Sequence, residues 1–157
     1  MKKLTIVILF LTTMLFISVS FSQTHEHDQA AVKKEVIKAP IGVPAGLPFS
    51  TAVKFGNFMF LSGILGTDLN TSELVSPDVG KQTKQCMETL GLILRQAKMD
   101  YSDVVSCTVY LTDLKDYSEV NKAYSVYFPK DPPARTCVQV VRLVIGAKVE
   151  LSFIAAK

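Results

Sequence analysis

The sequence predicts an α+β domain, a mixed sheet of about six strands with two helices on one face. Three observations lead there. Val79 to Ala97 and Val120 to Tyr127 place apolar residues at helical spacing. Short runs rich in β-branched or alternating apolar residues lie before, between and after them. The final run alternates cleanly, with Val149, Leu151, Phe153 and Ala155 facing one way and Glu150 and Ser152 the other.

The elements follow in order. Glu35 to Ala39 reads as a strand stopped by Pro40, and the glycines and prolines of 41–48 demand a loop. Thr51–Lys54 and Phe58–Leu61 read as two strands joined at Gly56-Asn57. Ser76-Pro77-Asp78 opens the first helix: serine caps, proline suits the first helical position and the acid complements the helix dipole. Val79, Cys86, Leu90, Ile93 and Ala97 form its apolar stripe. Val104 to Leu111 is a buried strand. Asp116 and Glu119 have capping-box spacing for a second helix, with Val120, Ala123, Tyr124 and Tyr127 on one face and Pro129 beyond its end. Ala134 to Leu143 and Lys148 to Ala155 complete the strands, with Gly146 in the turn. The sheet face without helices carries apolar and polar groups together, so another subunit is expected to cover it.

Composition narrows the function. Of 157 residues, 48% are apolar and 20% charged, enough for one domain with a core. Lys2 and Lys3 account for two of the 17 basic residues, leaving 15 against 14 acids. That near-neutral balance argues against nucleic acid as a partner. The only two histidines, His25 and His27, precede the first structural element, which excludes a Ser-His-Asp or Cys-His site within the domain. His25-Glu26-His27-Asp28 reads as a solvated tail, a loose divalent-ion site being the rival reading.

The N-terminus reads as an address. Lys2 and Lys3 precede an uncharged apolar run from Leu4 to Phe21, and Ser20-Phe21-Ser22 offers small residues at a cleavage site. Residues 1–22 are therefore expected to be a signal peptide, 23–34 a flexible linker and 35–157 the working domain, exported to the periplasm or medium. An uncleaved membrane anchor is the competing reading. With cleavage, no membrane association is expected. Cys86, Cys107 and Cys137 leave at least one thiol unpaired. Three reduced thiols and one disulfide plus a spare are both open.

One run is highly specific: Pro132-Pro133-Ala134-Arg135-Thr136-Cys137-Val138-Gln139-Val140. Together with Val149-Glu150, Val120-Asn121-Lys122-Ala123-Tyr124, Gly56-Asn57 and Leu61-Ser62-Gly63, it resembles the RidA/YjgF family of enamine and imine deaminases, over roughly Val36 to Ala155. The resemblance implies a chorismate-mutase-like homotrimer with a cleft at each subunit interface. It implies hydrolysis of small 2-imino acids to 2-oxo acids and ammonia, with no cofactor and no metal. By carry-over, the backbone of Cys137 holds the imino end, Ser62, Gly63 and Asn121 line or brace the pocket, and Phe49 supplies a pocket wall where many members have tyrosine. Ser152 stands where the family often has a second acid.

The residue chemistry agrees with that implication. Arg135 can grip a planar carboxylate with two parallel hydrogen bonds. Glu150, expected on the adjacent strand, can orient or deprotonate the attacking water. The bland rival is a structural ion bridge between the two. The alternative functional readings are an exported ligand-binding trimer without significant turnover, and a protective, chaperone-like trimer. Ribonuclease activity, claimed for some relatives, fits poorly with the charge balance and the absence of histidine from the domain.

Overall fold

The computed structural model describes residues 32–37 and 47–157. The expected leader, and the linker up to Ala31, lie outside the described residues, as do Lys38 and Ala39 of the first expected strand and most of the loop after it. No helix among the described residues is long and apolar enough to cross a membrane.

Among the described residues, seven strands form one sheet, one more than expected. They are β1 (Lys34–Ile37), β2 (Ala52–Phe55), β3 (Phe58–Leu61), β4 (Ile64–Leu65), β5 (Val104–Leu111), β6 (Ala134–Gln139) and β7 (Val149–Ala156). The order is β1-β2-β3-β7-β5-β6, with β4 pairing the start of β7 in line with β3. Only β5 and β6 run parallel, which makes the sheet mixed. Gly56 takes φ +60° at the first position of the two-residue turn between β2 and β3, the mirror-image geometry that matches strand twist.

Helices α1 (Val79–Gln96) and α2 (Tyr117–Ser125) pack on one face of the sheet. The α1 stripe is the expected one, with Val79, Cys86, Leu90 and Ile93 buried against Met59, Val109, Leu151 and Phe153. Its cap differs from expectation. Asp78, not Ser76, is the N-cap, its carboxylate accepting the Lys81 N–H at 2.8 Å. The expected capping box on α2 is also absent: Asp116 has helical backbone and makes no side-chain cap bond. A 3₁₀ turn over Leu114–Asp116 precedes α2, and there Asp113 accepts the Lys115 N–H.

The strand expected to reach Leu143 stops at Gln139. β5 ends at Leu111, whose carbonyl takes the Val140 N–H at 2.8 Å, and the ladder has no further partner. The chain then turns through Val144–Gly146, where Ile145 and Gly146 are both left-handed. All three cysteines are free, Cys86 and Cys107 buried and Cys137 half-buried.

The other sheet face is uncovered. The register aligns Val36, Val53, Phe60 and Ile154 across it, beside Phe55, Phe58 and Ala156. Val36, Phe55, Phe58 and Phe60 are each about half exposed.

Candidate active site

The expected site residues fall into two groups. The first gathers at Glu150. Near the start of β7, Glu150 pairs with Tyr110 of β5 on one side and Leu65 of β4 on the other. It is half-buried, and this desolvation raises its carboxyl above the usual range. The carboxylate lies on Gly63: a Cβ there would come within 1.8 Å of Oε1. A side chain at position 63 would displace the acid, so glycine there leaves room for the carboxylate in this place.

Gly63 also lines a mostly apolar cavity of about 440 Å³, with Leu47, Phe49, Ser62, Leu69 and Ile145 among the other walls. Phe49 is well exposed there. Ser62 acts as a brace, its Oγ donating to the Ser50 carbonyl at 2.7 Å and its N–H to that of Thr51 at 3.0 Å. These bonds hold the segment carrying Phe49 against the start of β4.

The second group surrounds Arg135 on the edge strand β6. Register pairs Arg135 with Cys107 and Cys137 with Val109, both buried positions of β5, so Arg135 and Cys137 point to the helix-covered side. There Arg135 Nη2 donates to Asn121 Oδ1 and to Tyr117 Oη, the latter at 3.3 Å. The guanidinium carbon lies 4.8 Å from the Tyr124 ring centroid and 5.7 Å from that of Tyr117. Tyr117, Asn121 and Tyr124 stand at i, i+4 and i+7 of α2, which places them on one helix face. This half-buried fork is held by stacking and hydrogen bonds without a carboxylate partner among the described residues.

Burial pushes the Cys107 thiol up to about 12 and raises Cys137, with Arg135 opposing in both. Neither is a ready nucleophile. The Tyr124 hydroxyl is buried beside Cys107, and burial holds it protonated.

The expected placement of Glu150 beside Arg135 is corrected here. Glu150 is not on the strand adjacent to Arg135, because β5 lies between β6 and β7. Nor do the two share a face: Glu150 pairs with Tyr110 on the uncovered side, while Arg135 pairs with Cys107 on the helix side. Within one chain they make neither a common site nor an ion bridge. Sequence reasoning also passed over Tyr117; the i, i+4, i+7 spacing with Asn121 and Tyr124 was the available signal. Among the described residues, no group of three or more His, Cys, Asp or Glu could hold a metal ion.

Comparison with known proteins shows the family of the chain. Residues 37–157 match the family model described as Endoribonuclease L-PSP. The chain belongs to that family. It is 43% identical over 126 residues to "Reactive Intermediate Deaminase A, chloroplastic" of Arabidopsis thaliana, covering 80% of this chain and 67% of the relative. It is 38% identical over 120 residues to the 2-iminobutanoate/2-iminopropanoate deaminase of Mus musculus, covering 76% and 87%. Among solved structures, E. coli TdcF with bound serine superposes with a TM-score of 0.68 at 31% identity, over 78% of this chain and 96% of that one. The RidA/YjgF resemblance and the α+β fold are thereby borne out.

Proposed function

We propose that the protein hydrolyses small 2-imino acids to 2-oxo acids and ammonia, at sites formed between copies of the chain. The observation that carries this is the separation of two prepared half-sites. One is a restrained guanidinium on an edge strand, and the other is a desolvated carboxylate on the opposite face, lying on Gly63. A second copy seated on the uncovered apolar face would bring the Arg135 edge of one chain to Glu150 of the next. Two relatives bear deaminase names, and the TdcF structure holds an amino acid, a ligand with the same α-carboxylate.

The chemistry then needs few parts. Arg135 fixes the carboxylate and so orients C2. A protonated imine is already electrophilic. Glu150 takes a proton from water as its oxygen bonds to C2, giving a carbinolamine, and returns the proton to nitrogen. As the C–N bond breaks and ammonia leaves, the carbinolamine hydroxyl gives its proton to the Glu150 carboxylate, and the 2-oxo acid remains. A raised carboxyl pKa suits a group that both accepts and donates. Cys137 contributes backbone at the imino end, and its thiol does not react. The trimer and export to the periplasm or medium belong to the same proposal.

The test generates 2-iminobutanoate in situ with a threonine dehydratase and traps it with semicarbazide. The protein should speed 2-oxobutanoate release, and Arg135→Ala and Glu150→Gln should each lose most of the acceleration. A ligand-binding protein would take up the 2-oxo acid and give no rate.

A further inference from the structure

Tyr117 is the first residue of α2, and its hydroxyl meets the same Arg135 nitrogen that Asn121 holds. The hydroxyl oxygen accepts from Nη2 at 3.3 Å. A phenol that accepts in this way keeps its own proton for donation. Among the described residues that proton has no acceptor, and the side chain is substantially exposed beside the guanidinium. An anion gripped by the remaining N–H groups of Arg135 would therefore have the Tyr117 hydroxyl beside the guanidinium as a further donor.

Resting on the reading above, we propose that Tyr117 is a further binding residue for the substrate carboxylate. Its oxygen accepts from Arg135 while its O–H donates to the anion. Tyr124 and Asn121 set the plane of the fork. Tyr117 adds a neutral donor beside that fork, favouring a 2-imino or 2-oxo carboxylate over an uncharged ester or amide, which makes a weaker acceptor.

Tyr117→Phe removes only the hydroxyl and keeps the ring against the guanidinium. The experiment measures KM and kcat with 2-iminobutanoate, and the calorimetric Kd of 2-oxobutanoate, for wild type, Tyr117→Phe, Arg135→Ala and the double variant. Tyr117→Phe should raise KM and Kd about fivefold, as expected for one lost hydrogen bond to an exposed charged group, with kcat within about twofold. In the double variant the Phe change should add nothing to the Arg135→Ala defect. Unchanged KM and Kd in Tyr117→Phe, with Arg135→Ala defective, would overturn this inference alone. An Arg135→Ala variant that binds and turns over like wild type would overturn both it and the reading on which it rests.

Discussion

Arg135 and Glu150 lie on opposite faces of one sheet, two strands apart, with β5 between them. Each is nevertheless prepared for chemistry. Arg135 is stacked on Tyr124 and tied to Asn121, and Glu150 is desolvated over Gly63. Burial that raises a carboxyl, and restraint of a charged fork without a counter-ion, both cost folding free energy. Such costs concentrate at functional sites.

Gly63→Ala should separate geometry from fold. The new Cβ would stand 1.8 Å from Glu150 Oε1, so the acid must swing aside while the backbone, outside the left-handed region at this position, can stay. Deaminase activity should fall about a hundredfold, the scale expected from an ångström of misplacement. The far-ultraviolet circular dichroism spectrum should match wild type.

Glu150 also makes a pH prediction. Its folded pKa is raised, so as pH climbs the unfolded chain releases this proton first and stability declines through that window. Glu150→Gln removes the cost. In urea titrations the variant should match wild type below the ordinary glutamate pKa of about 4.3 and exceed it at neutral pH. The acid limb of kcat/KM in wild type should likewise lie above that value.

Asn121→Ala removes one of the two hydrogen bonds from Arg135 to α2 and leaves the Tyr117 bond and the stacking on Tyr124. Affinity for 2-oxobutanoate should drop about tenfold, one charge-assisted hydrogen bond's worth, as read by calorimetry. Asn121→Asp would add a carboxylate competing with the substrate for the same fork and should bind more weakly still.

The two helix starts predict opposite outcomes. Asp78→Ala removes a real cap and should lower stability by about 1 kcal/mol in chemical denaturation. Asp116→Ala removes no cap bond, only a long contact to Lys148 at 4.0 Å with both side chains partly exposed, and should change stability by less than about 0.5 kcal/mol.

Periodicity carried much of the fold. The α1 stripe and the alternation of β7 are local patterns, and both are found buried as read. Strand order is not local: that β5 separates β6 from β7 depends on a long-range pairing with no marker in the sequence. The face of Arg135 was equally hidden. Along Arg135-Thr136-Cys137-Val138-Gln139 each side of an edge strand mixes polar and apolar residues, so alternation alone favours neither. Val140 to Leu143 looks like strand because it is apolar, yet β5 had run out of partners. β4, two residues long, is too short to show a period. For the site, the family-like motif pointed to residues without their placement, and only coordinates show Arg135 and Glu150 on opposite faces of the sheet.

The most direct test of a shared site is complementation. Arg135→Ala and Glu150→Gln chains, each inactive alone, are co-expressed and the mixed assembly is assayed with in situ 2-iminobutanoate. If Arg135 of one copy works with Glu150 of the next, random mixing leaves roughly a quarter of the junctions intact, and about that share of wild-type activity should return. A mixed assembly as inactive as its parents, with co-assembly verified by native mass spectrometry, would contradict the account.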